Sequence, residues 1–265
     1  MTQPGDLPDP VAAYDLVAAH FSELSARRRE YLAAIEKIIV SRIPSGAHSL
    51  LDIGSGDGTR ALRIAQSAGI GEVVLLEPSP ALCAKIQIGE VWPIRAEEIG
   101  NHPIATRGRR FDVITCLWNV LGHIRTAEAR GELLRQLQKR LTPQGRLFMD
   151  VIHRYNIRSY GVTKTAVRYL LDRINPRETN GDVIVKWEFE NASCLTFGHV
   201  FTHREILALV QHAGLQIESR AVVDYETGAV QRAAFLGNLL YEFRRNSAIA
   251  FPKAATTSST SASVI

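Results

Sequence analysis

Cysteine is scarce in this chain: Cys83, Cys116 and Cys194 are its only three. The number is odd, and no Cys-x-x-Cys or metal-type spacing occurs. This excludes a disulfide-built scaffold and leaves buried thiols in a reducing compartment as the expectation, with no metal site. No apolar run approaches the roughly 18 residues of a membrane span, and the opening MTQPGDLPDP lacks the character of a signal peptide. A cytoplasmic protein without membrane association is therefore expected. The net charge is +4, but the basic residues are spread thinly. Backbone binding of nucleic acid works through clustered Lys and Arg, so such a partner is not expected.

What is present is a chain of 265 residues, 46% of them hydrophobic. That is enough for one large α/β domain with an insertion, or for two small domains. The pattern centres on residues 50–59, LLDIGSGDGT. An apolar run closing on Asp52 has the length of a buried parallel strand. Gly54, Gly56 and Gly58 let the backbone turn sharply and approach a ligand, and a helical pattern starts at Thr59. A dinucleotide fingerprint wants a third glycine three residues after the second, where Thr59 stands, and a phosphate-binding loop wants a Gly-Lys-Ser/Thr ending that the chain lacks.

Around this stretch the periodicity alternates. Residues 1–10, with three prolines and a glycine, read as a disordered leader, and helical spacing over 11–21 and 25–43 as a cap. The stripe of the second helix holds Tyr31, Leu32, Ile35, Ile38, Ile39 and Ile43. Further strands are predicted at 72–76, 91–94, 111–117 and 146–152, with helices over 59–68, from Pro80 to about Ile88, and over 127–141. Alternation at this spacing implies a parallel sheet with right-handed crossovers. Residues 153–200 pattern loosely and read as an insertion or lid, with an exposed-face strand over 183–189. Thr202 and Glu205 form a capping box that opens a helix ending near Gly214. Strands follow at 215–223 and 235–243. Residues 246–265 are low-complexity and read as a disordered tail.

A second apolar run, Val73 to Leu76, closes on Glu77, 19 residues after Gly58. An acid there can accept hydrogen bonds from both hydroxyls of a ribose. Alone it is an ordinary acid at a strand end; beside the glycine loop it becomes a ligand-binding pair. Acid, Gly-x-Gly-x-Gly and a second acid together resemble the first two motifs of the class I S-adenosylmethionine (SAM) dependent methyltransferases. The resemblance covers residues 47–152 well and the rest loosely. It implies a doubly wound, mostly parallel seven-stranded α/β sheet over residues 11–245, with SAM as cofactor and S-adenosylhomocysteine as product.

Carried onto this chain, the resemblance places Asp52, Gly54, Ser55, Gly56, Asp57 and Gly58 around the cofactor, with Glu77 on its ribose and Pro78 under its adenosine. The carboxylates of Asp52 and Asp57 suit a sulfonium and an ammonium. Ala96 and Glu97 hold the position that meets adenine in the family, where a solvated Glu97-Glu98 pair opening a short helix is the alternative. The segment after strand four faces the methyl group, which makes Leu117 and Trp118 walls and makes Asn119 and His123 the candidates for orienting the acceptor and taking a proton. Methyl transfer is chiefly a matter of alignment and exclusion of water, so a dedicated base is needed only for a protonated nucleophile. Tyr14, Arg154, Tyr155, Tyr160 and His199 are substrate candidates from the cap and lid.

Two flaps over a pocket favour a small-molecule methyl acceptor, at nitrogen or oxygen. The Asn/Asp-Pro-Pro-aromatic signature of base-amino methylation and the Pro-Cys nucleophile of pyrimidine carbon-5 methylation are both missing, since Cys116 follows Thr115. Two alternatives stand beside this reading. One is a methyltransferase acting on RNA or protein, favoured by Arg27 to Arg29 and Arg107 to Arg110. The other is a SAM-binding scaffold without turnover. Oligomeric state is not legible.

Overall fold

A computed structural model describes residues 7–105, 108–189 and 193–246. Residues 1–6 of the expected leader, Arg107 of the basic loop and residues 247–265 of the expected tail lie outside them. Asp9 and Pro10, grouped with the leader in the sequence, instead start the first helix. The Asp9 side chain accepts from Val11 N, and its carboxylate pairs with Arg95 at 2.7 Å.

Helices α1 (Pro10–Val17), α2 (Phe21–Arg27) and α3 (Arg29–Val40) form the cap, with a 3-10 turn, Ala18–His20, between the first two. The sheet follows: β1 (Ser49–Ile53), α4 (Thr59–Ala68), β2 (Glu72–Leu76), α5 (Pro80–Cys83), β3 (Glu90–Trp92), β4 (Phe111–Cys116), α6 (Ala127–Arg140) and β5 (Leu141–Val151). The insertion carries α7 (Ile157–Tyr160), α8 (Val162–Ile174) and the hairpin β6 (Asp182–Glu188) and β7 (Ser193–His199). Then come α9 (His203–His212), β8 (Leu215–Val223), β9 (Val230–Gln231) and β10 (Asn238–Arg245).

The main sheet has the order β3-β2-β1-β4-β5-β10-β8-β9. Its first five strands are parallel, and β10 is antiparallel to both neighbours. It contains the seven expected strands and an eighth, the two-residue β9 at the edge. Strand order reverses between β1 and β4, so their carboxyl ends open the crevice where doubly wound sheets bind ligands.

Period-two alternation sends successive strand residues to opposite faces. Leu50, Leu75 and Val113 pack with Tyr31, Leu32, Ile35 and Ile64 of α3 and α4, while Leu51, Val74 and Ile114 pack with Leu133, Leu134 and Leu137 of α6. The apolar stripe expected for α3 and the leucines of the helix expected over 127–141 are therefore what bury.

Several boundaries differ from expectation. The cap helix expected over 25–43 is broken at Arg28. The helix expected from Pro80 to Ile88 ends at Cys83, because the next amides bond three residues back, Lys85 N to Leu82 O and Ile86 N to Cys83 O. Leu141, expected to end the helix over 127–141, opens β5 opposite Phe111, and the register shift before Val113 accommodates Pro143 and Gly145. β10 starts at Asn238 rather than Phe235, after a 3-10 turn over Ala234–Leu236.

Candidate functional site

The glycine loop leaves β1 with Gly54, Gly56 and Gly58 at φ of 68°, 61° and 76°. All three lie in the left-handed region that glycine alone adopts without strain. A Cβ on Gly54 would collide with the Val120 side chain, and one on Gly56 with the Phe21 ring of the cap. Asp57 Oδ1 accepts from Thr59 N at 3.0 Å and starts α4. The loop borders a cavity of about 680 Å³, also lined by Glu77, Pro78, Ala96, Glu97, Leu117, Trp118 and Tyr14.

Glu77 is 5% exposed. Its Oε2 accepts from Gly56 N at 2.8 Å and its Oε1 from Ser79 N at 2.9 Å, which ties the ends of β1 and β2 together. Burial pushes its carboxyl up to about 7, against those amide bonds. Each oxygen still has a second lone pair for a ligand hydroxyl.

Asp52 is buried beneath the loop. Its Oδ1 accepts from Thr115 Oγ1 at 2.6 Å, while its Oδ2 has no partner among the described residues. Burial raises its pKa, and the Arg60 guanidinium opposes the shift. An acceptor left unpaired in this way awaits a donor. The cradle that a Cβ would fill and the Glu77 carboxylate fit a ligand with a ribose, while Asp52, which lines neither cavity, lies sealed beneath the loop.

After β4 the chain makes an unusual turn. Trp118 and Asn119 lie consecutively at φ of 63° and 61°, a conformation that costs a non-glycine residue about 1–2 kcal/mol. Surrounding bonds impose it. Trp118 N donates to the Asp150 carboxylate, which also accepts from Tyr31 Oη at 2.6 Å, and the Trp118 indole donates to Tyr225 Oη at 3.1 Å. The Asn119 amide is committed to backbone: Oδ1 accepts from Ile152 N at 3.0 Å and Nδ2 donates to His199 O at 3.2 Å.

The turn carries His123 to the cavity wall. Nδ1 faces Phe197 O at 2.8 Å and Nε2 faces Tyr14 Oη at 3.2 Å. A carbonyl can only accept, so Nδ1 carries the proton and Nε2 is left as the acceptor. Burial lowers the His123 pKa, which keeps the ring neutral, and burial followed by the Glu77 charge raises that of Tyr14. A smaller chamber of about 130 Å³ adjoins the main cavity and shares Tyr14, Trp118 and His123 with it; Asn119 and Tyr160 line the chamber as well.

Thus the structure brings together the predicted glycine loop, Glu77, Pro78, Ala96, Glu97, Leu117, Trp118, Tyr14 and His123. It places Arg154, Tyr155 and His199 elsewhere, in a network that ties the insertion to α9. Arg154 bonds Val200 O at 3.1 Å, Asp172 at 3.1 Å and Glu205 at 2.5 Å. Tyr155 Oη donates to Asp172 at 2.6 Å, and His199 Nδ1 meets Asp182 at 2.7 Å. Neither cavity is lined by these three.

Among the residues that escaped the sequence reading are Phe21 and Arg60, which line the larger cavity, and Asp150 and Tyr225, which hold the Trp118 turn. Asp150 had a legible signal, since LFMDV is another apolar run closing on an acid. The rest come from distant segments and carry no local pattern.

Comparison with known proteins adds the following. A family model described as a methyltransferase domain matches residues 20–220. A dTDP-4-amino-2,3,4,6-tetradeoxy-D-glucose N,N-dimethyltransferase of Saccharopolyspora spinosa is 33% identical over 143 residues, 52% of each chain, so the match spans about half of that relative's length. Among solved structures, the CcbJ methyltransferase from Streptomyces caelestis aligns with TM-score 0.59 at 16% identity, covering 89% of this chain and 98% of its own. An amino pentose methyltransferase from Micromonospora echinaspora with SAM bound aligns with TM-score 0.54 at 17% identity, covering 85% and 96%. At these identities the likeness is one of fold.

Proposed function

Since the chain belongs to the methyltransferase-domain family, we propose that it transfers a methyl group from SAM to a nitrogen or oxygen of a small molecule, with an amine the favoured acceptor. The observation that carries this reading is the Tyr14–His123 pair, 3.2 Å apart, at the edge shared by the two cavities. One cavity has the furniture for SAM and the other has room for an acceptor. SAM supplies a methyl on a positive sulfur, which passes to the acceptor's lone pair with release of neutral S-adenosylhomocysteine and, from an amine or hydroxyl, one proton.

The residues divide the work. Glu77 would hold the ribose hydroxyls, and the carboxylate of Asp52, buried beneath the loop, would act on the cationic methionine end through its charge alone. Ala96 and Glu97 border the adenine, and Leu117, Trp118 and Pro78 exclude water. Tyr14 Oη accepts from the methyl acceptor and, as the acceptor sheds its proton, passes its own hydroxyl proton to Nε2 of neutral His123. The amino-sugar activity of the Saccharopolyspora relative supports nitrogen over oxygen.

Calorimetry with S-adenosylhomocysteine on wild type and Glu77→Ala tests the cofactor half. Losing the charge-assisted ribose bonds should weaken binding by about 1.5–3 kcal/mol; equal affinity would refute the assignment. Transfer of label from SAM to a panel of amines and alcohols tests the acceptor half. His123→Gln should lower kcat about 100-fold or more while leaving calorimetric cofactor affinity intact.

A further inference from the structure

The 130 Å³ chamber is larger than the water-sized voids that native interiors carry. Its outer wall is one face of the β6–β7 hairpin, where Val183 stands opposite Gly198 and Val185 opposite Thr196. Leu24, Ile152, Trp187 and Val200 contribute further apolar surface, and no Lys, Arg, Asp or Glu is among the described residues lining it.

Its polar atoms are largely spent. The Asn119 amide serves Ile152 N and His199 O, the Thr196 hydroxyl turns to Phe197 O at 3.4 Å, and the Arg168 guanidinium covers the face of the Tyr160 ring at 4.3 Å. At one end stand Tyr14 and His123, which also border the cofactor cavity. An apolar cavity of about 150 Å³ is known to take up benzene, so this chamber has room for one six-membered ring.

Resting on the methyltransferase reading above, we propose that the chamber binds the ring bearing the accepting amine, and that it selects an uncharged ring with few or no hydroxyls. The amine points to Tyr14 and His123, and the apolar carbons lie against the hairpin. Each ring hydroxyl would lose water without gaining a partner, which is how such walls discriminate. A phosphate or nucleotide group on the acceptor lies outside the chamber.

Cyclohexylamine and glucosamine, two primary amines on six-membered rings, test this by calorimetry against protein saturated with S-adenosylhomocysteine, each affinity being referred to the neutral-amine fraction because an alkylamine, like a lysine side chain, is protonated at neutral pH. Cyclohexylamine should bind at least about tenfold more tightly, and equal or inverted preference overturns the proposal. Gly198→Val then fills the chamber. Gly198 lies in a strand, and a Cβ there would meet Val183 Cγ2 at 3.5 Å, an ordinary contact. The variant should lose cyclohexylamine binding and keep that of S-adenosylhomocysteine. Val183→Phe fills the same space from the facing strand and serves if Gly198→Val does not fold. If both variants bind cyclohexylamine like wild type, the chamber is a packing void. The same titration without S-adenosylhomocysteine separates the two readings: a protein that takes up cyclohexylamine but never S-adenosylhomocysteine refutes the methyltransferase reading, whereas the converse refutes the chamber.

Discussion

Glu77 combines two demands that conflict. Its carboxylate is buried to brace the glycine loop, and burial moves its pKa from 4.5 to about 7. The folded protein therefore binds this proton more tightly than the unfolded chain, so its contribution to stability is most favourable below about pH 4.5 and is lost as pH rises to about 7. Above that the charged form costs on the order of 3 kcal/mol. Glu77→Gln removes this titration but turns an NH2 toward one of the two amides that Glu77 accepts from, so its melting temperature relative to wild type, without ligand, should be higher at pH 8 than at pH 5, a difference readable by calorimetry. Cofactor binding has the opposite slope, because ribose hydroxyls need the ionised acceptor. The affinity of wild type for S-adenosylhomocysteine should fall toward tenfold per pH unit below about pH 7. A flat profile from pH 8 to 6 would remove Glu77 from the site. Asn119 offers a second test at this scale, since its amide makes two buried bonds and its backbone is left-handed. Asn119→Ala leaves Ile152 N and His199 O unpaired and should cost about 2–5 kcal/mol in denaturant unfolding.

At the scale of elements, the insertion is anchored by charge more than by apolar packing. α8 leaves Val162, Val167, Leu170, Leu171 and Ile174 exposed, each by more than half. What holds this region is Arg154, itself buried and bonded to Asp172 on α8 and to Glu205 on α9. Removing one partner of a buried pair strands the others, which costs about 3–5 kcal/mol. Arg154→Met should therefore accelerate amide exchange in α8 and the β6–β7 hairpin before it affects β1 or β4; uniform acceleration would contradict this. The same physics decides what the sequence revealed. β1, β2, β4, α3 and α6 were legible because their apolar periods face a core, and the glycine loop because its φ angles demand glycine. α8 was not, since its apolar residues face solvent and show no buried stripe, and β7 was not, since Leu195 is exposed and Phe197 is its one large apolar side chain that is buried. Arg154, Tyr155 and His199 looked like site residues because polar and aromatic side chains in a lid suggest a ligand. Their partners, Asp172, Glu205 and Asp182, lie 17 to 51 residues away, beyond any local pattern.

For the whole molecule, the cap and the hairpin act as one cover over the sheet's carboxyl edge. Phe21 sits on Gly56, and Tyr14 reaches His123. The two flaps also touch each other: Tyr14 packs edge-on to Trp187 at 4.9 Å, and His20 stacks on Phe189 at 4.8 Å. Neither flap belongs to the eight-stranded sheet, so each can open at a free energy below that of global unfolding. A ligand under both flaps binds only the closed arrangement and must slow their opening, by a factor that grows as 1 + [L]/Kd. Hydrogen exchange with S-adenosylhomocysteine at about 100 times its Kd should thus slow the amides of α1, α2 and the hairpin by up to about 100-fold. Phe21→Ala separates the flaps' roles. It removes the ring from Gly56 but leaves Tyr14 against Trp187, so α2 should lose its ligand-induced protection while the hairpin keeps most of its own. If the two flaps lose protection together, they open as a single unit, and access to the acceptor chamber and to the cofactor cavity is gated by the same motion.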